Sequence, residues 1–104
     1  MDKYIIITTL CNKQEVATNI QDTLLNQKLI AGCQIFLVDS KYFWKGKLEQ
    51  TKEYNIEMRS KKSLYDRIEK EIKKINDYDV CEISYYEIQG GNKEIFDWID
   101  ECTK

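Results

Sequence analysis

The sequence predicts an α+β domain with a ferredoxin-like fold, an antiparallel sheet in the order βαββαβ followed by one further helix. Two stretches with apolar residues at helical spacing lie on either side of a long two-stranded hairpin. Two βα units that flank a hairpin form the split βαβ arrangement, which places both main helices on one face of the sheet. At 104 residues the chain has room for a single domain, residues 1–104, with one core.

The first βα unit is predicted at the start of the chain. A β-branched run from Lys3 to Leu10 indicates a strand long enough to be buried on both faces. Asn12 and Glu15 fit the two positions of a capping box, so a helix is expected to follow and to continue to about Lys28. The apolar stripe of this helix consists of residues four apart, namely Val16, Ile20 and Leu24.

A β-hairpin comes next, with strand two over about Ile30 to Trp44 and strand three over about Lys47 to Arg59. The pair Lys45-Gly46 between them matches a two-residue turn, because such a turn needs positive φ, which glycine adopts without strain. A hairpin of this length is expected to extend past the helices and to leave its edges exposed, which natural proteins rarely leave unprotected.

The second βα unit follows the hairpin. Ser60 is expected to cap its helix, and strand four is predicted over about Val80 to Gln89. Gly90-Gly91 then breaks the pattern, and Asn92 is expected to cap a short final helix. The apolar residues of these two helices are Leu64, Ile68, Ile72 and Ile75 in the first, and Ile95, Phe96, Ile99 and Cys102 in the last.

Counting back from the turn predicts the register of the hairpin, with Trp44 opposite Lys47 and Cys33 opposite Met58. Side chains alternate between the two faces of a strand, so each face has its own set of residues. The face expected to contact the helices carries Cys33, Ile35, Leu37, Tyr54, Ile56 and Met58. The opposite face carries four large apolar residues, Phe36, Val38, Tyr42 and Trp44.

These four residues would lie in water if the protein were a monomer, so they indicate a face that is covered by another chain. A closed ring of subunits would cover both this face and the exposed edge. In an alternative interpretation, a β-bulge near Asp39-Ser40 reverses the register and returns Tyr42 and Trp44 to the local core. Self-association is expected in either case, because a bulge does not shorten the hairpin.

Composition excludes several classes of function. The net charge is −2 with both signs interspersed, which argues against a nucleic-acid partner. The longest apolar runs are too short to span a bilayer, and the N-terminus lacks the pattern of a signal peptide, so we expect no membrane partner. Four widely spaced cysteines favour free thiols and a cytoplasmic location. The chain has no histidine and no nucleophile next to an obvious base, so we expect no enzymatic activity.

The chain resembles the CutA family of divalent-cation tolerance proteins over nearly its whole length. The segment from Ser40 to Glu49 is similar to the family motif S-x-Y-x-W-x-G-K-x-E at every defined position. Further similarity lies in Lys28 to Cys33, in Arg59-Ser60, in Tyr78 and Glu82, and in Gly91 and Trp98. The chain departs from the family between Asn76 and Glu82, where the family histidine and both prolines are absent.

The resemblance implies a very stable homotrimer of ferredoxin-like subunits whose hairpins embrace neighbouring subunits. It also implies a role in tolerance of divalent metal ions such as copper, through a metal or a small ligand bound in clefts between subunits. The architecture is similar to that of the PII signalling proteins as well. The alternative function is therefore a PII-like regulatory module that binds an anionic metabolite and signals to a protein partner, although the short turn at Lys45-Gly46 disfavours a long signalling loop.

Two sets of residues are candidates for the site. Arg59, Tyr78 and Glu82 combine a cation, a phenol and a carboxylate, which together could orient a small polar ligand or form an ion pair between subunits without a ligand. For a metal, thiolate and thioether ligands suit Cu(I). The candidate metal ligands are Cys33, Cys81 and Met58, with Glu82 as a further donor.

Overall fold

The computed structural model describes residues 2–76 and 81–104. Their strands form one antiparallel sheet in the order β2-β3-β1-β4, with two helices packed on one face and a third helix at the C-terminus. This arrangement confirms the predicted α+β, ferredoxin-like fold. In chain order the elements are β1 (Tyr4–Cys11), α1 (Gln14–Asn26), β2 (Gly32–Trp44), β3 (Lys47–Lys61), a 3-10 turn (Lys62–Leu64), α2 (Tyr65–Ile75), β4 (Ile83–Glu87) and α3 (Lys93–Cys102).

The hairpin has the register that the sequence predicts. Cys33 pairs with Met58 and Trp44 pairs with Lys47, and the pairing runs without interruption through Asp39. The alternative with a β-bulge near Asp39-Ser40 is therefore wrong. At the turn, Lys45 and Gly46 have φ values of 52° and 78°, as a turn of type I′ requires.

The core lies between the sheet and the helices α1 and α2, on what we call the inner face of the sheet. Apolar residues of β1 and β3 pack there against the two helices, and all of those named next are fully buried. They are Ile5, Ile7, Ile56 and Met58 from the strands and Ile20, Leu24, Ile68 and Ile72 from the helices. Burial of this apolar area is the main source of stability of the fold.

Strand β1 is buried on one face only in the chain by itself. Its residues alternate between buried and half-buried, and Ile5 and Ile7 belong to the buried set. The expectation of burial on both faces is therefore wrong for the single chain. The opposite side of the sheet, which we call the outer face, contains the half-buried set, including Ile6 and Leu10.

Three predicted helix caps are not found as expected. Helix α1 begins after Lys13, not Asn12, and no side chain caps it. Ser60 belongs to β3, where it is buried and donates a hydrogen bond to the carbonyl of Leu29. Asn92 does precede α3, but its side chain donates to Glu94 instead of accepting from the helix backbone.

The last helix, α3, packs on the outer face of the sheet. The rings of Phe96 and Tyr4 lie 4.7 Å apart, and the Tyr4 hydroxyl donates to Asp100 at 2.7 Å. The indole of Trp98 lies directly over Gly32 at the beginning of β2. Helix α3 therefore covers one end of the outer face and leaves the rest of that face, along the hairpin, uncovered in the single chain.

Candidate functional site

The uncovered part of the outer face includes the four residues that the sequence places there. Phe36, Tyr42 and Trp44 expose 40, 38 and 36% of their surface, and Val38 is half-buried. The Tyr42 hydroxyl lies 3.3 Å from that of Thr51 in the neighbouring strand. The face is thus apolar and held by the hairpin, and the Lys45 ammonium lies 5.6 Å from the centroid of the Trp44 ring.

The tip of the hairpin is apolar on its inner side as well, which the sequence reasoning missed. Phe43 and Leu48 are cross-strand partners and expose 78 and 58% of their surface. Leu37, which we expected to contact the helices, lies on the inner face but is 57% exposed, so that expectation is wrong. A comparison of lengths could have shown this, because the 13 residues of α1 extend about 20 Å and the 13 of β2 about 43 Å.

The centre of the outer face, next to α3, is polar. Arg59 and Glu57 form an ion pair with 3.4 Å between Nη2 and Oε1, and both side chains are less than a third exposed. Thr8 and Ser84 share a hydrogen bond of 3.2 Å. The Oδ1 atom of Asn55 is buried, and no group in residues 2–76 and 81–104 donates a hydrogen bond to it, which costs about 1–3 kcal/mol in a protein interior. This polar region would have to be matched by whatever covers the face.

Two of the candidate ligand residues, Arg59 and Glu82, lie in separate places within one chain. Arg59 pairs with Ile6 of β1 and bonds to Glu57. Glu82 is exposed, and its carbonyl accepts a hydrogen bond of 2.6 Å from Thr9. Ile6 and Thr9 are about 10 Å apart along β1, so Arg59 and Glu82 occupy separate places. Tyr78 lies outside the described residues. The prediction that these three residues form a cleft between subunits stays a prediction.

The candidate metal ligands lie in two separate parts of the sheet, one at β2 and β3 and the other next to β4. Cys33 and Met58 are cross-strand partners on the inner face, with Met58 fully buried. Burial raises the pKa of the Cys33 thiol to about 11, although a hydrogen bond from Gln21 opposes the shift. The neutral thiol therefore predominates at neutral pH, and a metal bound there would have to displace a proton.

Cys81 lies two residues before β4, which is the edge strand on the other side of the sheet from β2 and Cys33. Its sulfur is 3.5 Å from Nδ2 of Asn76 and 3.8 Å from the hydroxyl of Thr9, and the side chain also packs against the apolar core. Within residues 2–76 and 81–104, no group of three or more His, Cys, Asp or Glu side chains is placed to hold a metal ion.

The helices within residues 2–76 and 81–104 are all too short to span a bilayer, and the longest of them, α1, has 13 residues.

Comparison with known protein families shows one match that covers most of the chain. Residues 5–102 match the model of the family described as CutA1 divalent ion tolerance protein. Among curated proteins, the divalent-cation tolerance protein CutA of Archaeoglobus fulgidus is 33% identical over 104 residues and covers all of both chains. The protein of the same name from Pyrococcus horikoshii is 30% identical over 100 residues, covering 96% of this chain and 98% of the relative.

Solved structures agree with these matches. A crystal structure of the divalent ion tolerance protein CutA1 from Ehrlichia chaffeensis has a TM-score of 0.91 at 27% identity, covering 100% of this chain and 98% of that one. The structure of the periplasmic divalent cation tolerance protein CutA from Archaeoglobus fulgidus has a TM-score of 0.93 at 30% identity and covers 97% and 99% of the two chains.

Proposed function

The chain belongs to the CutA1 family of divalent ion tolerance proteins, and on this basis we propose that it acts in tolerance of divalent metal ions, copper among them. We propose that it does so as a homotrimer, which binds a metal ion or a small ligand in clefts between its subunits. One observation carries the proposal. The long hairpin holds apolar side chains on both of its faces, beyond the reach of the helices of its own chain.

The surface area of the single chain supports self-association. Its accessible surface is 6800 Å², whereas a compact monomer of the same mass exposes roughly 6100 Å². The surplus of about 700 Å² is close to the ~800 Å² that each partner contributes to a stable interface. The radius of gyration, 14.3 Å, likewise exceeds the ~13 Å of a compact domain of this length. The projecting hairpin thus gives the chain the surface that an assembly would bury.

The separation of the candidate residues favours a site shared between chains. Arg59 lies on the outer face, and Glu82 lies at the β4 edge. A neighbouring subunit that covers the outer face could therefore place its own Glu82 next to Arg59. The planar arginine fork binds carboxylates and phosphates in a bidentate manner. We expect Tyr78 to be the third member of this cleft.

For a metal, the pair Cys33 and Met58 offers a thiol and a thioether, which are suited to Cu(I). These two atoms do not complete a coordination sphere, so Cys81 or Glu82 would have to come from another subunit. The proposal therefore makes metal binding dependent on assembly, which separates it from a site contained in one chain.

We also propose that the protein is not an enzyme and that it resides in the cytoplasm. The relatives are named for tolerance and not for a reaction. All four cysteines are free thiols, which is typical of a reducing compartment. The Archaeoglobus fulgidus protein is described as periplasmic, so cell fractionation of the organism that makes this chain is the direct test of location.

Two measurements test this function, namely the mass of the protein in solution and the heat of ligand binding. Sedimentation equilibrium of the purified protein at micromolar concentration should give the mass of three chains, and a stable monomer would contradict the proposal. Calorimetry then measures the binding of Cu(I), Cu(II) and Zn(II), with citrate as a probe of anionic metabolites. Heat from a metal supports the tolerance function. Heat from citrate alone would favour the PII-like alternative, and no heat from any of them would contradict ligand binding.

A further inference from the structure

Two of the four free cysteines lie near one another where β1 ends and the chain approaches β4. Cys11 is the last residue of β1 and is fully buried, and Cys81 is half-buried two residues before β4. Cys11 belongs to the hydrophobic core, and Cys81 packs against it. The proposed metal site takes Cys81 from another subunit and leaves Cys11 unused, so the pair within one chain has no function assigned to it.

The register of β1 and β4 brings the two cysteines opposite one another. The antiparallel pairing runs as far as Thr9 and Ile83, and two more residues in the same register place Cys11 opposite Cys81. Side chains two residues apart on a strand point to the same face, so both thiols belong to the inner face with Thr9 and Ile83.

The hydrogen-bond pattern of the two strands favours a disulfide at this position. The backbone amide of Ile88 donates to the carbonyl of Tyr4, so Tyr4 and every second residue after it form the hydrogen-bonded pairs. Cys11 falls in the other set, whose facing Cα atoms are about 4.5 Å apart. A disulfide joins Cα atoms that are ~4.4–6.8 Å apart, so the pair fits even if the strands diverge by about 2 Å.

Side-chain contacts hold the segment around Cys81 against the end of β1. The Thr9 hydroxyl donates to the carbonyl of Glu82 at 2.6 Å and lies 3.8 Å from the Cys81 sulfur. Nδ2 of Asn76, a residue that is 4% exposed, donates to the Leu10 carbonyl at 2.9 Å and lies 3.5 Å from the same sulfur. The Cys81 sulfur therefore contacts two side chains that are themselves fixed to the last residues of β1 or of the segment before β4.

We propose that Cys11 and Cys81 form a reversible disulfide when the chain meets a small-molecule disulfide such as oxidised glutathione. The thiolate of Cys81, the more exposed of the two, attacks one sulfur of oxidised glutathione and releases the first glutathione thiolate. The thiolate of Cys11 then attacks the Cys81 sulfur of the mixed disulfide and releases the second. The protein gives up two electrons and two protons, and oxidised glutathione is reduced to two molecules of glutathione.

The order of the two steps follows from the surroundings of Cys11. Burial raises the pKa of its thiol and a charge on Cys81 would raise it further, although the backbone of Lys13 and Ala17 opposes the shift. The thiol also donates a hydrogen bond to the carbonyl of Lys13 at 3.3 Å. A neutral and buried thiol is a poor first nucleophile, so Cys11 reacts only after the mixed disulfide at Cys81 places a reactive sulfur beside it.

The disulfide makes the stability of the chain depend on its redox state. It closes a loop of about 70 residues, and such a link stabilises a protein mainly by restricting the unfolded chain. It also fixes the backbone next to Glu82, one of the candidate ligand residues. The pair is thus a redox switch beside the candidate site, and it does not depend on whether that site binds a metal or a small ligand.

The test uses the fully reduced protein, incubated with oxidised glutathione in the absence of oxygen. Peptide mapping by mass spectrometry of the alkylated wild type should find one peptide pair linked through Cys11 and Cys81. Dithiothreitol should remove the link. In the background Cys33→Ser/Cys102→Ser, where these two are the only thiols left, both thiols should disappear on oxidation and the same link should form.

Single variants separate the two steps. Cys11→Ala should stop at a mixed disulfide between Cys81 and glutathione, whereas Cys81→Ala should form neither that adduct nor a link, because Cys11 is fully buried. The midpoint of urea denaturation should rise when wild type is oxidised and fall back after reduction. The midpoint of Cys81→Ala should be the same with and without oxidised glutathione.

Three outcomes would overturn the inference. They are a wild type without the linked peptide pair, a glutathione adduct on Cys81 of the wild type that Cys11 does not displace, and an unchanged urea midpoint for the linked protein. The first two are read from the wild type itself, so they decide the matter even if a variant of the buried Cys11 fails to fold.

Discussion

The indole ring of Trp98 occupies the space that a side chain on Gly32 would need. A Cβ atom built on Gly32 would lie 2.7 Å from Cη2 of Trp98, well inside the ~3.5 Å at which carbon atoms make favourable contact. Gly32 is thus the position on β2 that allows α3 to lie close against the outer face, and the glycine is needed for space and not for its backbone freedom.

Gly32→Ala should therefore weaken the docking of α3. We expect the free energy of unfolding to fall by about 1–3 kcal/mol, because the inserted methyl group forces the ring or the helix outward. Chemical denaturation measures the change, and hydrogen exchange of the α3 amides locates it. Gly90→Ala is the control, since no atom lies within 4 Å of the added Cβ there. If Trp98→Leu in the Gly32→Ala background restores no stability, the collision is not the cause.

The hydrogen bonds of Asp2 predict that the stability of the fold falls as the pH is lowered into the acid range. Its carboxylate accepts hydrogen bonds from the backbone and the hydroxyl of Ser63 at the beginning of the 3-10 turn before α2. Burial acts to raise the pKa of the Asp2 carboxyl. The hydrogen bonds from Ser63 and Lys3 and the charge of Lys61 lower it by more, so the pKa lies below its ordinary value of 3.8. A folded-state pKa that is lowered contributes stability above the unfolded value, and this contribution is lost as the pH falls through the folded value.

Asp2→Asn should accordingly reduce the free energy of unfolding by about 0.5 kcal/mol at pH 7, a small effect because the site is largely exposed. The difference from wild type should shrink below pH 4. Denaturation curves at both pH values measure it. Asp39→Asn, which breaks the exposed ion pair between Asp39 and Lys52, should change little at either pH. An unchanged difference at low pH would contradict the role assigned to the Asp2 carboxylate.

Lys28 lies just after α1 in a left-handed conformation with φ of 57°. A side chain in this region costs about 1 kcal/mol relative to glycine, which adopts it freely. We expect Lys28→Gly to raise the free energy of unfolding by roughly 0.5 kcal/mol once the greater freedom of the unfolded chain is subtracted. Gln27→Gly, at a φ of −83°, should lower it instead. Urea denaturation measures the change in the free energy of unfolding for each variant. A lower value for Lys28→Gly than for wild type would contradict the strain argument.

Trp44 should contribute strongly to self-association. Its ring is 36% exposed on the outer face, and truncation of such an aromatic anchor costs about 2–3 kcal/mol of binding. Trp44→Ala is therefore expected to raise the dissociation constant of the assembly about 30- to 150-fold. Sedimentation over a concentration series measures this change, with Leu25→Ala as the control. An unchanged distribution of mass would exclude Trp44 from the interface.

Cys33 makes the proposed copper binding dependent on pH. Because burial raises the pKa of Cys33 to about 11, binding of Cu(I) as a thiolate releases a proton over the whole neutral range. The apparent affinity should then rise about tenfold for each pH unit between pH 6 and 8. Anaerobic calorimetry of wild type, Cys33→Ser and Met58→Leu measures it, with Cys102→Ser as the control. Equal heats for Cys33→Ser and wild type would exclude this thiol as a ligand.

The hairpin could be predicted in detail because its determinants are local. Lys45-Gly46 identifies the turn, and counting outward from the turn along both strands gives each cross-strand pair, down to Cys33 opposite Met58. The alternation of side chains then assigns each pair to one face of the sheet. The helix caps could not be predicted in this way. Serine both caps helices and packs in strands, and which of these Ser60 does depends on the carbonyl of Leu29, which lies 31 residues away in the chain.

The candidate site could be predicted only in part, for a related reason. Arg59 and Glu82 are recognisable as residue types that bind small ligands, but in a single chain they lie on opposite sides of β1, next to residues about 10 Å apart along that strand. The packing of α3 on the outer face could not be predicted either, because it depends on the contact between Gly32 and Trp98. These residues are far apart in the sequence, and no local pattern indicates that they meet. A contact between distant residues decides the packing of α3, and the proposed contacts between chains would decide the site.

The uninterrupted register of the hairpin also limits how its length can change. Removal of one cross-strand pair between Asp39 and the turn would rotate the far end by half a revolution, so that Trp44 would exchange faces with Phe43. Removal of two pairs would keep every side chain on its own face and shorten the arm by about 7 Å. Hairpins of this kind should therefore differ in length among related proteins only in steps of two pairs, or carry a bulge that compensates for an odd step.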